Sequence, residues 1–213
     1  MTTRRDIRAC TAALAACACF SRSALVAQTF SIDPPPVREG STHAKGPVLC
    51  VRRVELAPQY EGSALVYRTG PHRLERDPYA RFAAAPADML TAAVREHLRR
   101  ADFAPEVVGP GAALSADLQV DVYASDLFGD LEPASEAAAV VSLRFLVFSV
   151  QNGRRTQPIL SEEFSRRTRL PRRTAAAVVG GLNQGLSDIM AEFVAELTMA
   201  LRTSRMWSPG PPG

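Results

Sequence analysis

The sequence predicts a single α+β domain, a mostly antiparallel sheet with two amphipathic helices packed on one face. Residues 89–101 and 178–201 repeat apolar side chains at helical spacing, and the stretches around them alternate apolar and polar residues as strands do. The resulting order, strands then helix then strands then helix, is that of a layered α+β architecture. With 213 residues and 46% hydrophobic content, the chain can bury one good-sized core, and an export segment at its start leaves one domain of ordinary length.

In chain order, Thr29-Phe30-Ser31-Ile32-Asp33 alternates as a short edge strand before Pro34-Pro35-Pro36. Val48 to Leu56 is strand-like. Residues 64–68 and 73–76 flank Thr69-Gly70-Pro71-His72, a turn-forming tetrad suited to a hairpin. After a loop around Pro86, the residues Met89, Leu90, Val94, Leu98 and Ala101 line one face of a helix, with Arg95, Glu96, Arg99 and Arg100 largely opposite. A strand follows near residues 106–108, and then Leu118, Val120 and Val122 alternate with Asp117, Gln119 and Asp121. Val140 to Val150 is apolar on both faces apart from Ser142, Arg144 and Ser149, which predicts a central strand covered on one side by helices. Residues 159–169 form the next strand, with Gly153 in the connecting turn. Thr174 caps a long final helix whose apolar stripe runs Val178, Leu182, Leu186, Ile189, Phe193, Leu197, Leu201. Gly180, Gly181 and Gly185 lower its propensity and allow close approach to a neighbouring backbone. The last residues, ending Ser208-Pro209-Gly210-Pro211-Pro212-Gly213, are expected to be disordered.

The start of the chain is a targeting signal. Arg4, Arg5 and Arg8 form a basic region, and residues 9–20 contain no charged side chain. Leu14-Ala15-Ala16-Cys17 matches the lipobox: a branched apolar residue, two small residues that let the peptidase reach the backbone, and the cysteine whose thiol receives diacylglycerol. Two acyl chains on the thioether, usually joined by a third such as palmitate on the amine, anchor stably where one chain anchors only marginally. The competing reading makes Cys17 one more small residue of the apolar stretch, with ordinary cleavage after Ala27; Leu25 and Arg22 fit that site poorly. Thr3-Arg4-Arg5-Asp6-Ile7 resembles a twin-arginine export motif, so both export routes stay open. The expected layout is a signal peptide over 1–16, a lipidated tether and edge strand over 17–46, the domain over 47–203 and a tail over 204–213.

Charge and chemistry narrow the function classes. The formal charge of +3 comes from 25 basic and 22 acidic residues, and the arginine pairs are scattered instead of striped, which argues against a nucleic-acid partner. Three of the four cysteines precede residue 20, so the domain keeps only Cys50 and cannot hold a disulfide framework. Cys50 lies in the apolar run Val48-Leu49-Cys50-Val51 and reads as a buried, inert thiol. No nucleophile with its base, metal cluster or phosphate cradle stands at a recognisable spacing, so no enzyme, metal site or cofactor is expected. His43, His72 and His97 lack partners and read as solvated side chains. Glu162 and Glu163 point to opposite faces of a strand and cannot act together. Arg166-Arg167, Arg169 and Arg172-Arg173 are the densest basic run; ordinarily such a run is a solvated loop, and its sharper reading is contact with anionic lipid headgroups.

The chain resembles the ABC-type transport auxiliary lipoproteins, of which the PqiC/YmbA group is the familiar example. The resemblance lies in Thr29-Phe30-Ser31-Ile32-Asp33-Pro34, in residues 51–58, in Leu65-Val66-Tyr67-Arg68-Thr69-Gly70 with Arg73-Leu74-Glu75, and in Tyr79 and Phe82. A second block is the final helix, from Ala175-Ala176-Ala177-Val178-Val179 to Leu182-Asn183-Gln184-Gly185-Leu186-Ser187-Asp188-Ile189. Where the family commonly carries tryptophan this chain has Phe82, which keeps the aromatic packing and lacks the indole N–H.

The resemblance implies a periplasm-facing lipoprotein, anchored at Cys17 and sorted to the outer membrane with Ala18 following the acylated cysteine. Its implied partners are an MCE-domain protein and an ABC permease/ATPase complex that move lipids across the periplasm, and its role is docking or bridging; a homo-oligomer is compatible with that role. Tyr67, Arg68, Glu75, Tyr79 and Phe82 form the candidate partner interface, since exposed aromatics with arginine suit protein contacts; the alternative for them is cross-strand packing within the domain. The alternative function is a soluble periplasmic lipid- or ligand-binding protein, which requires an apolar pocket.

Overall fold

The structure, a computed structural model, describes residues 26–35, 46–101, 104–132 and 136–203. The export signal, Cys17, His43 and the tail from 204 onward lie outside the described residues. The strands are β1 (Gln28–Phe30), β2 (Leu49–Val51), β3 (Glu55–Leu56), β4 (Ala64–Gly70), β5 (Arg73–Phe82), β6 (Val107–Val108), β7 (Leu118–Asp130), β8 (Ala138–Gln151) and β9 (Arg154–Arg169). The helices are α1 (Pro86–Arg100) and α2 (Ala175–Thr203), and a 3-10 turn occupies Pro58–Tyr60. The chain is thus a mixed α+β domain.

The sheet is built around β7. Along one edge β7 pairs antiparallel with β8 from Leu118↔Ser149 to Asp130↔Ala138, and β8 pairs antiparallel with β9. Its other edge is shared end to end by β2, β3 and β4, each parallel to it. The long ladders are antiparallel as the alternation implies. The five short pairings, β1 with β5, β2 with β6, and β2, β3 and β4 with β7, are parallel. The 48–56 stretch, which reads as one strand, is two short ones, and 118–122 extends eight residues further to Asp130. A register shift between Ala124 and Asp126 explains the second difference, because a bulge there breaks the period-2 pattern on which the reading rests.

Strand β8 is central. Its odd-numbered residues face α2: a Cβ on Gly181 would stand 2.7 Å from Ala139 Cβ, one on Gly185 2.8 Å from Val141, and Phe145 stacks on Phe193 with centroids 3.9 Å apart. Phe164 meets both rings edge-on, so three aromatics fill the middle of this layer. Both glycines are therefore there for close approach of helix to sheet. Helix α1 packs against β2, β3, β6 and α2, burying Leu90, Val94 and Leu98.

The turns follow local chemistry. The β8–β9 connection is the two-residue Asn152-Gly153 turn with φ of 51° and 73°, the doubly left-handed geometry that matches strand twist. The β4–β5 turn places His72 at φ 60°. The Thr174 hydroxyl accepts the Ala177 N–H at 3.3 Å at the start of α2.

One expectation needs correction. His97 is not solvated: it is 9% exposed. It lies three residues after Val94 and seven after Leu90, on the buried side of α1, and lines a cleft with residues 32–35.

Candidate functional site

Residues 64–82, which carry part of the resemblance, form the β4–β5 hairpin. The ladder pairs Ala64 with Arg81 and then Val66 with Arg76, so β5 uses five residues where β4 uses two. Asp77 closes this bulge: Oδ1 accepts the N–H of Tyr79 at 2.8 Å and of Ala80 at 2.9 Å, and Oδ2 accepts the Tyr67 hydroxyl at 2.8 Å. Burial pushes the Asp77 carboxyl up, but those three donors more than offset it and hold it below the ordinary value. Burial and the bond to Asp77 keep the Tyr67 phenol protonated well above its usual range. The bulge turns Tyr79 outward, 44% exposed, whereas Phe82 returns to the core.

Arg68 points across the end of the sheet. Its Nε and a terminal nitrogen donate to the two carboxylate oxygens of Asp130 at 3.1 and 2.5 Å, and Glu132 lies 4.0 Å away. Arg167 on β9 reaches the same carboxylate at 2.6 Å, so a side chain with 0% exposure is gripped from two strands. Burial opposes the charge on Asp130, and the arginines together with the Glu132 N–H outweigh it, leaving the carboxyl below its usual range. The Arg68 guanidinium also lies 5.5 Å from the Phe128 ring centroid, and Phe128 stacks on Tyr60 at 5.9 Å. Tyr60, buried and bonded to Asp126, has its phenol pushed up to about 12, mainly by burial.

The structure brings Tyr67, Arg68, Glu75 and Tyr79 together on the hairpin and sets Phe82 beneath it. Glu75 pairs with Tyr67 across the ladder and binds Arg73 at 2.6 Å and the Thr69 hydroxyl at 3.1 Å. The sequence reading does not single out Asp77, Asp130 or Asn183. The Asp77-Pro78 dipeptide is the one local signal available, a turn-former inside a strand. Among the described residues no group of His, Cys, Asp and Glu could hold a metal ion. Cys50 is half-buried on β2, where the apolar run suggests a fully buried thiol, and burial raises its thiol above the usual value.

Two clefts flank α1. One, of about 320 Å³, lies between residues 32–35 and Ala92, Ala93, Glu96, His97 and Arg100; the other, about 200 Å³, lies beside Arg53, Glu61 and Pro86. In the first, hydrogen bonds from Arg99 and Arg100 hold the Glu96 carboxyl near a pKa of about 2. No helix among the described residues is long and apolar enough to cross a membrane.

The fold has solved relatives. A crystal structure of a DUF330 protein from Xanthomonas campestris superposes with a TM-score of 0.73 at 16% identity, covering 85% of this chain and 100% of that one. A second crystal structure, of an uncharacterized protein, gives 0.64 at 16% identity over 81% and 99% of the two chains. No curated protein matches the sequence significantly. At such identities the superpositions establish the fold alone. The family is established by the sequence itself: residues 29–194, from the first strand through most of α2, match the family model of the ABC-type transport auxiliary lipoprotein component, and the chain belongs to that family.

Proposed function

We propose that this chain is the membrane-anchored docking component of an ABC-type, MCE-associated lipid transport system, acylated on Cys17 and held at the periplasm-facing side of the outer membrane. The family match over residues 29–194 carries this reading. The interior supports docking over carriage: Phe145, Phe164 and Phe193 fill the layer between sheet and α2, where a lipid carrier would need an apolar hollow. The surface for an MCE-domain protein or the permease/ATPase complex is the flank of the hairpin centred on exposed Tyr79, which stands apart from Arg68 on Asp130 and Glu75 on Arg73.

The test has two stages. Intact mass and membrane fractionation of the full-length protein, beside Cys17→Ala, read the anchor: acyl mass on residue 17 and membrane association lost in the variant support it. Capture of the MCE-type partner by wild type and by Tyr79→Ala then reads the interface. Retained partner binding by Tyr79→Ala rejects the hairpin surface. A second reading, a soluble periplasmic ligand-binding protein, draws on the 320 Å³ cleft against α1; unmodified, soluble wild type would favour it.

A further inference from the structure

The strand register gathers one pole of the domain. Arg68 pairs with Asp130, Asp130 with Ala138, and Ala138 with Arg169. The β4–β5 turn, the end of β7, the start of β8, the end of β9 and the start of α2 therefore meet there. The pole carries Arg68, Arg73, Arg167, Arg169, Arg172 and Arg173 against Glu75, Asp130, Glu132 and Glu136, six positive charges less four negative ones, or +2. Of the four carboxylates only Asp130 is fully buried; Arg73 and Arg169, 72% and 78% exposed, pair with Glu75 and Glu136, which are 45% and 61% exposed, so the outward excess is the net charge of the pole.

The chain reaches this domain from the same side. β1 runs parallel to β5 with Gln28 beside Ala80 and Phe30 beside Phe82, so at Val26, 78% exposed, the chain is travelling away from the β4–β5 turn. Val26 lies nine positions after Cys17, a stretch that spans at most about 30 Å. At the rise of an extended strand, the arginine pole lies roughly 15 Å from the entry point, and the opposite pole at Arg154 roughly 40 Å. A bilayer holding residue 17 is within easy reach of the first and beyond the reach of the second.

We infer that the arginine pole rests on the anionic lipid surface that carries the acylated N-terminus. The inference builds on the acylation of Cys17 proposed above. The anchor supplies proximity, and the outward guanidiniums meet lipid phosphates, an attraction that adds with each arginine near the surface and weakens with salt. Orientation follows: the helix-free face of β7, β8 and β9 and the hairpin flank stand upright from the membrane, open to a partner in the periplasm.

The experiment uses full-length acylated protein, Cys19→Ser and Cys50→Ser, with a bimane label at Arg172→Cys or, at the opposite pole, at Arg154→Cys, so that each sample loses one arginine. Vesicles contain one part phosphatidylglycerol to about two parts phosphatidylcholine, with a nitroxide-bearing headgroup as quencher. Quenching at 172 is expected to exceed that at 154 by about threefold or more, and to fall towards the level at 154 in phosphatidylcholine alone or when Arg73→Glu and Arg169→Glu are combined. Equal quenching at the two sites, or more at 154, with acyl mass present on residue 17, overturns the docked orientation and leaves the anchor standing. No acyl mass on residue 17 removes the anchor and this inference with it.

Discussion

Asn183 on α2 holds the backbone at Asp33 with both ends of its amide. Its Oδ1 accepts the Asp33 N–H at 3.0 Å and its Nδ2 donates to the Ser31 carbonyl at 3.4 Å, joining segments 150 residues apart. One turn further along, the Ser187 hydroxyl donates to the Pro35 carbonyl at 2.9 Å. Residues 31–35 leave the sheet after β1 and have no strand beside them, so α2 supplies the partners a ladder would have given. The two blocks that carry the family resemblance are thus one structural unit.

Replacing Asn183 by leucine removes both bonds and is expected to cost about 1–2 kcal/mol. Asn183→Asp keeps the acceptor and loses the donor, so it should lie between wild type and leucine. Urea titration measures the cost, and amide exchange over 28–35 should rise in the leucine variant before global unfolding. Unchanged exchange there would show that α2 does not secure this segment.

Asp130→Ala leaves Arg68 and Arg167 without their shared carboxylate. Removing one partner from a buried pair costs about 3–5 kcal/mol, and because both arginines are partly exposed and can turn to water, about 2–3 kcal/mol is expected here. The pH dependence has a definite sign. The folded-state pKa of Asp130 is depressed, so its contribution is complete above the unfolded carboxylate value of about 3.9 and drains away as pH falls below it. Urea midpoints of wild type and variant should therefore converge between pH 7 and pH 3.

Much of this fold is legible in the sequence because burial writes a period into it. The stripe from Val178 to Leu201 and the alternation from Leu118 to Val122 each report one buried face, and both elements form where that pattern places them. The parallel pairing of β2, β3 and β4 along one edge of β7 is not legible, since two- and three-residue strands carry no period and β4, though seven residues long, meets β7 only at Tyr67 and Arg68. The site is less legible still. Asp130 looks like any strand-end carboxylate until register brings Arg68 and Arg167 to it from strands 62 and 37 residues away in sequence. His97 is the instructive miss: its spacing from Leu90 and Val94 marks the buried face, and the chemistry of the residue type outweighed that position in the reading.

The glycines of α2 offer a comparison within one helix. A Cβ on Gly181 would sit 2.7 Å from Ala139 Cβ, and one on Gly185 2.8 Å from Val141, contacts that force α2 away from β8. Gly181→Ala and Gly185→Ala should each lose about 1–3 kcal/mol by overpacking. Gly180 meets nothing within 4 Å, so Gly180→Ala should gain up to about 1 kcal/mol from helix propensity alone. Thermal melts of the three variants give opposite signs if close helix-sheet approach is what the glycines serve.

His97 makes the domain sensitive to mild acid. Its ring lines a cleft with residues 32–35, and its Nε2 is buried without a hydrogen-bond partner. Burial is the main cause of a folded-state pKa below the ordinary 6.5, with Arg100 adding to it; the Ala93 and Pro35 carbonyls and Glu96 oppose. Asp33 lines the same cleft, and the α2 groups that grip this segment, Asn183 and Ser187, are uncharged. The unfolded chain therefore takes up a proton that the folded state refuses. Stability contributed by neutral His97 is complete above about pH 6.5 and declines as pH falls from there towards the lower folded value. His97→Leu abolishes the titration and removes the unpartnered nitrogen, so it should be at least as stable as wild type at pH 5. Melts at pH 5 and pH 7.5 decide it: the wild-type loss on acidification should exceed that of the variant. Equal losses would mean that His97 is not what makes the domain sensitive to acid.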